Sequence, residues 1–255
     1  MELGLKGARV IVTGGGGGIG RIIAESFAAE GAIVHVCDVD EAALSSLPEG
    51  ITGTPADMGE PAEIERFVTS AIDTMGGLDC LVNNAGIAGP TGNVDDIDPA
   101  DWDACLNICL TSQFHATRHA VAALRQSENA SIVNLSSLAG RLGFGMRTPY
   151  AAAKWGVVGL TKSLAIELGP EGVRVNAILP GIVAGERQRR VLEAKAQRQG
   201  RSFDEIEAQA LSNTSMRDYV QPEEIATQAL YLASRLGRGI SGQAISICGD
   251  TQTLT

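Results

Sequence analysis

The sequence predicts an α/β protein built on a doubly wound parallel sheet, with helices on both faces. Three observations carry this. Short β-branched runs alternate with longer helix-patterned stretches, several of those runs are apolar throughout, and a glycine-rich turn joins the first run to the first helix. Strands are expected over residues 8–12, 32–37, 51–55, 78–83, 131–135, 174–179 and 244–247. Helices are expected over 19–29, 61–75, 99–124, 150–168 and 222–236. Pro61, Pro99 and Pro222 each open a helix and acids follow, a favourable start because proline lacks an N–H that would go unpaired there.

The chain has 255 residues, and its 31 glycines fall at turns instead of forming a linker, so one domain spanning 1–255 is expected. A formal charge of −10 argues against a nucleic-acid or anionic-membrane surface. No long apolar run is present to span a bilayer. Five scattered cysteines and the lack of a signal-peptide pattern fit a reducing cytoplasm.

In sheets of this kind ligands bind beyond the carboxyl ends of the strands, where strand order reverses. The first strand runs into Thr13-Gly14-Gly15-Gly16-Gly17-Gly18-Ile19-Gly20 and then into a helix. Glycines let backbone approach a pyrophosphate, and the helix start offers unpaired N–H groups. Asp38 ends the second strand, where a carboxylate binds adenosine ribose hydroxyls and repels a 2′-phosphate. With no Lys or Arg in positions 14–18, NAD is favoured over NADP. The alternative is that Asp38 caps a turn with Asp40 and Glu41. Asp57, closing the third strand, is a candidate for the adenine amino group.

Tyr150 and Lys154 lie one helical turn apart on one face. An ammonium beside a phenol stabilises phenolate, which suits proton exchange with a hydroxyl or carbonyl oxygen. The alternative is a buried Tyr beside a snorkelling Lys. Ser136 and Ser137 end one candidate strand, and Asn83-Asn84-Ala85-Gly86 end another, so both lie at the ligand edge. The Asn amides are expected to satisfy loop backbone groups there.

Together Thr13-Gly14…Gly18-Ile19-Gly20, Asn83-Asn84-Ala85-Gly86, Ser137, Tyr150…Lys154 and Pro180-Gly181 resemble the short-chain dehydrogenase/reductase family, in its order and over essentially the whole chain. The resemblance implies a Rossmann-type sheet of seven parallel strands, nicotinamide chemistry on a small alcohol or ketone, and a homotetramer or homodimer. It implies Tyr150 as general acid/base, Lys154 as its partner and ribose ligand, and Ser137 as hydrogen-bond partner of the substrate oxygen. Pro180, Gly181 and Ile182 would flank the nicotinamide, the Ile182 backbone meeting its carboxamide.

Two departures stand out. The family's usual fourth catalytic member is an Asn, but register on Trp102 and Leu110–Phe114 places Cys109 there. Asn107, two residues earlier, is expected to point elsewhere. Ala184-Gly185-Glu186-Arg187 also stands where many members carry a carboxamide-binding Thr.

A polar stretch over about 183–220 is expected to cover the substrate, with a capping box at Ser202–Glu205 opening a short helix. Residues 187–201 carry six basic side chains and one acid, read either as a solvated face or subunit contact, or as a lid meeting an anionic or hydroxylated substrate. Arg141, Phe144 and Arg147 are substrate candidates. Cys105 and Cys109 read as buried small hydrophobes, Trp102 and Trp155 as core or interface, and the His115/His119 pair lacks a third ligand, so no metal is expected. The reading is an NAD-dependent oxidoreductase of secondary alcohols, including polyols and hydroxy acids. The alternatives are a mainly reductive ketoreductase on an acyl or sugar-derived ketone, and a catalytically weak NAD-sensing or scaffold protein.

Overall fold

The computed structural model describes residues 2–254. Seven parallel strands form one sheet in the order β3-β2-β1-β4-β5-β6-β7. They are β1 (Arg9–Thr13), β2 (Ile33–Asp38), β3 (Ile51–Pro55), β4 (Cys80–Asn83), β5 (Ser131–Leu135), β6 (Arg174–Pro180) and β7 (Ala244–Ile247). Every expected strand is present, with edges moved by one or two residues. Strand order reverses between β1 and β4, so the cleft opens above those two strands.

Alternation along β1 explains the layers. Val10 and Val12 face Ile23 and Phe27 of α1 (Gly18–Ala29) and Ile225 and Ala229 of α9 (Pro222–Ala233). Ile11 faces the opposite layer, with Phe67 of α3 (Pro61–Met75), Ala116 and Ala120 of α5 (Ser112–Leu124), and Leu168 of α6 (Thr148–Leu168). Both faces of the sheet are covered, which is why its strands read as continuously apolar.

Three differences from expectation have physical causes. Residues 99–124 do not form one regular helix: α4 (Pro99–Leu106) and α5 are joined by a π-helical turn at Asn107–Thr111. A short α2 (Glu41–Ser45) forms because the Asp40 carboxylate caps Ala42 and Ala43. The polar stretch folds into α7 (Glu186–Gln199) and α8 (Phe203–Ser212), the latter opened by the expected Ser202–Glu205 capping box. No helix among the described residues is long and apolar enough to cross a membrane.

Candidate active site

A cavity of about 580 Å³ opens at the strand-order reversal. At one end lies the glycine turn. The helix α1 begins at Gly17 with no side-chain cap, so its first N–H groups face the cavity unpaired by protein side chains. A methyl on Gly20 would lie 2.1 Å from the Gly14 carbonyl oxygen and 2.3 Å from Asn84 Nδ2, so only hydrogen fits there. Gly17 and Gly18 face open space instead. An uncapped helix start behind an open glycine floor fits a pyrophosphate.

Asn84 holds this turn. Its Nδ2 donates to the carbonyls of Thr13 and Gly14, each at 2.9 Å, as the sequence led us to expect. Asn83 is buried and donates to Asn134 Oδ1 at 2.9 Å and Thr117 Oγ1 at 3.2 Å, locking β4 to β5. Thr13, expected among the cofactor-binding residues, is placed behind the turn. Its hydroxyl accepts from the Asn84 and Ala85 N–H groups and lies off the cavity wall, so it shapes the cradle. Gly14, Gly18, Ile19, Gly20, Asp38, Asp57, Asn84, Ala85 and Gly86 do line the wall. Asp38 Oδ2 accepts from Gly16 N–H at 3.0 Å and Oδ1 from Asp40 N–H at 3.2 Å. Asp38 therefore does organise the turn with Asp40, and its side chain lines the cavity. Asp57 accepts from Gly59 N–H at 2.7 Å.

The other end of the cavity gathers Ser137, Tyr150 and Lys154. Ser136 and Ser137 both line the wall but differ in bonding: the buried Ser136 hydroxyl donates to the Lys154 carbonyl at 2.8 Å, while the Ser137 hydroxyl accepts from Ala139 N–H at 3.1 Å. Lys154 is buried, its Nζ donating to the Leu135 carbonyl at 2.8 Å and lying 5.6 Å from the Tyr150 ring centre. Pro180, Gly181 and Ile182 line the same end. The Ile182 carbonyl accepts from Val220 N–H at 2.9 Å, which leaves the Ile182 N–H and the second lone pair of that carbonyl for a carboxamide.

Cys109 sits on the π-helical turn, fully buried, its thiol donating to the Ile87 carbonyl at 3.4 Å. A methyl on Gly86 would fall 3.5 Å from its sulfur and 3.8 Å from Lys154 Nζ, so the thiol and the ammonium share one corner. The Cys105 hydrogen bond pulls the Cys109 thiol below its ordinary value, against burial and helped by Lys154. Cys105 is pushed up in return. Cys37 and Cys80 are plain core thiols, raised by burial to about 12. Asn107 does point elsewhere, donating to the Gly59 carbonyl at 2.7 Å.

Gln113 carried no signal beyond its helix position. Its Nε2 donates to the carbonyls of Cys109 and Leu135, each at 3.3 Å, and its Oε1 is buried without a partner. It thus shares the Leu135 carbonyl with Lys154. Arg187, Arg190 and Lys195 of α7, and Thr253 and Leu254 at the carboxyl end, also line the cavity. Arg187 crosses the cleft to the Gly86 carbonyl at 3.2 Å.

Among the substrate candidates, Phe144 and Arg147 line the cavity. Arg141 does not: it donates to Ser246 Oγ at 2.9 Å and the Ala244 carbonyl at 2.7 Å, because the turn after β5 aims it at β7. Trp102 and Trp155 are partly exposed, so neither is a core residue.

A family model described as enoyl-(acyl carrier protein) reductase matches residues 14–249. The D-beta-hydroxybutyrate dehydrogenase of Cupriavidus necator is 36% identical, the match covering 93% of this chain and 95% of that protein. A crystal structure of actinorhodin polyketide ketoreductase with NADPH superposes with a TM-score of 0.91 at 31% identity, covering 96% of this chain and 97% of that one. A structure of NAD+-bound xylitol dehydrogenase does so with a TM-score of 0.92 at 26% identity, covering 96% and 99%. With its seven-stranded parallel sheet and these matches over nearly all its length, the chain belongs to the short-chain dehydrogenase/reductase family, oxidoreductases that act on CH–OH groups with a nicotinamide cofactor.

Proposed function

We propose that the protein is an NAD-dependent dehydrogenase interconverting a secondary alcohol and its ketone, with Tyr150, Lys154 and Ser137 as the catalytic residues. The observation that carries the reading is the placement of Ser137 and Tyr150 on one cavity wall, with buried Lys154 beside the phenol ring. Bound in the cavity, the nicotinamide would supply or accept the hydride of the alcohol carbon.

In the oxidative direction Ser137 holds the substrate oxygen and Tyr150, as phenolate, takes the hydroxyl proton. The carbon–hydrogen bond breaks with its electron pair leaving as hydride, and the oxygen's electrons close the C=O bond. Lys154 and Arg147 place positive charge near the phenol, the electrostatics a phenolate needs. Reduction runs the same steps backwards with Tyr150 donating the proton. Asp38 supports NAD, since a 2′-phosphate would meet a carboxylate already oriented by two backbone N–H groups. Glycines 14–20, Asn84 and the start of α1 would hold the pyrophosphate, and residues 183–220 would act as the lid.

A homo-oligomer acting in the cytoplasm completes the reading. Phe114 on α5 and Trp155 and Ile166 on α6 leave apolar surface exposed, which supports assembly, and the five cysteines are all free. The test is a panel of secondary alcohols, polyols and hydroxy acids with NAD and with NADP, followed by cofactor absorbance. Turnover with NAD on at least one member is expected; no turnover on any, or a strong preference for NADP, would refute the corresponding half.

A further inference from the structure

The wall of the cavity is electrically lopsided. Its carboxylates are Asp38, the last residue of β2, and Asp57, just after β3, both at the glycine end. Around the catalytic end stand Arg147, Lys154, Arg187, Arg190 and Lys195. Of these five only Arg190 has a carboxylate beside it, Glu186 at 4.0 Å, among the described residues. Lys154, Arg187 and Arg147 donate instead to the carbonyls of Leu135, Gly86 and Ala88. Arg147 and Lys195 differ from the rest in flanking one aromatic ring, that of Phe144.

Arg147 is the more unusual. It is only 4% exposed, its Nη2 donates to the Ala88 carbonyl, and its Nε is buried with no partner. Its guanidinium carbon lies 5.4 Å from the ring centres of both Phe144 and Tyr150, and Lys195 Nζ lies 5.8 Å from the Phe144 ring on the same wall. The backbone fixes this aim: Met146 takes a left-handed φ of 62° and its carbonyl accepts from Gly92 N–H at 2.9 Å. Burial lowers both cations from their ordinary values, and each is opposed by a neighbouring arginine, Arg187 for Arg147 and Arg147 for Lys195. Burying the Arg147 guanidinium without a carboxylate partner is costly, and half-buried Lys195 adds a second positive charge near the same ring, an arrangement that an anion completes.

We propose that the substrate is itself an anion: a secondary hydroxy acid or its oxo acid, whose carboxylate or similar small oxyanion lies against Arg147 and Lys195. A short carbon chain then carries the hydroxyl carbon to Tyr150 and Ser137. Phe144 and the ring of Tyr150 pack the apolar chain, and the guanidinium, which lines the cavity with no carboxylate partner, supplies the charge that meets the oxyanion. The other cations of the basic run bond elsewhere: Arg189 pairs with Glu193 at 2.8 Å, Arg198 pairs with Asp96, and Arg201, just beyond α7, bonds Gln209. Thus the basic run divides into a solvated face and an inward face. This inference rests on the proposed alcohol–ketone reaction for the placement of the reacting carbon, but not for the binding of the anion.

The test separates those two. Unreactive branched carboxylic acids of increasing chain length are compared with their neutral amides, and with matching alkyl sulfonates, for binding to the NAD-loaded protein by calorimetry and thermal shift. The expected result is that at least one acid or sulfonate binds about tenfold or more tighter than its neutral counterpart, and that Arg147→Gln abolishes this preference. Lys195→Gln, on an outer helix, should weaken it and serves where Arg147→Gln does not fold. Whichever oxyanion binds better identifies the head group. If no anion in the series exceeds its amide, or if the preference survives both substitutions, the inference falls. Anion binding that persists without turnover of any secondary alcohol would sustain it while sinking the proposed reaction.

Discussion

Asp38 and Gly16 are joined by a hydrogen bond of 3.0 Å from the glycine's N–H to the carboxylate, so the acid at the end of β2 is part of the glycine turn. The bond fixes a negative charge at the glycine end of the cavity. Replacing Asp38 with Asn should keep much of that geometry while removing the charge. The ratio of kcat/KM for NADP to that for NAD is expected to rise about ten- to a hundredfold, the scale of one relieved like-charge contact. An unchanged ratio would mean Asp38 does not discriminate.

Gly20 has no room for a side chain. Gly20→Ala would put a methyl 2.1 Å from the Gly14 carbonyl oxygen and 2.3 Å from Asn84 Nδ2, forcing the turn apart. Denaturant unfolding should show a loss of about 1–3 kcal/mol, and NADH affinity should fall with it. Gly17→Ala, facing open space, should leave unfolding stability much closer to wild type while still impairing cofactor binding.

The acid limb of stability depends on a pair remote from the site. Burial raises the Asp79 carboxyl, but hydrogen bonds from Arg9 and Ser127 outweigh it and bring it down to about 2. A carboxyl whose folded value is depressed stabilises the fold above its unfolded value, near 4, and loses that contribution as pH falls towards 2. Asp79→Asn should therefore cost about 1–2 kcal/mol at pH 7, after allowance for solvent screening, and almost nothing near pH 2. Urea unfolding at both pH values checks this.

Cys109 lies beside Lys154 where the family commonly has Asn. Its thiol, drawn below the ordinary value by the Cys105 hydrogen bond and by Lys154, is a titratable group beside the ammonium, with Cys105 and Arg187 the other titratable neighbours. Cys109→Asn should raise kcat by up to about tenfold and move the acidic limb of kcat/KM to lower pH, since an amide bonds better than a thiol and carries no charge. A pH–rate profile identical to wild type would show that this position carries no part of the proton relay.

Much of this architecture was legible in the chain because local pattern and burial agree. The helix Pro61–Met75 was readable to the residue: proline fixes its start, Ile64, Phe67, Val68 and Ala71 mark its buried face, and Gly76 ends it in a left-handed conformation. The Tyr150–Lys154 spacing was equally plain because both lie on one helix. What failed depended on tertiary direction. Arg141 and Arg147 are both loop arginines near the site, and only the folded turn sends one to β7 and the other into the cavity. Helix α7 was hidden because only Leu192 and Ala196 of its fourteen residues are buried, too few to print a helical period. The π-helical turn that carries Cys109 and the reach of Gln113 to the Leu135 carbonyl of β5 bring together elements distant in the chain, which no single stretch of sequence encodes.

The central claim is that the Tyr150 phenol moves the substrate proton beside a separately bound nicotinamide. Its most direct test is Tyr150→Phe, assayed for turnover on the best alcohol of the panel and for NADH affinity by fluorescence titration. Turnover should fall by about a hundredfold or more while the dissociation constant for NADH changes by less than about threefold. Retention of wild-type turnover, or a loss explained entirely by lost NADH binding, would contradict the assignment.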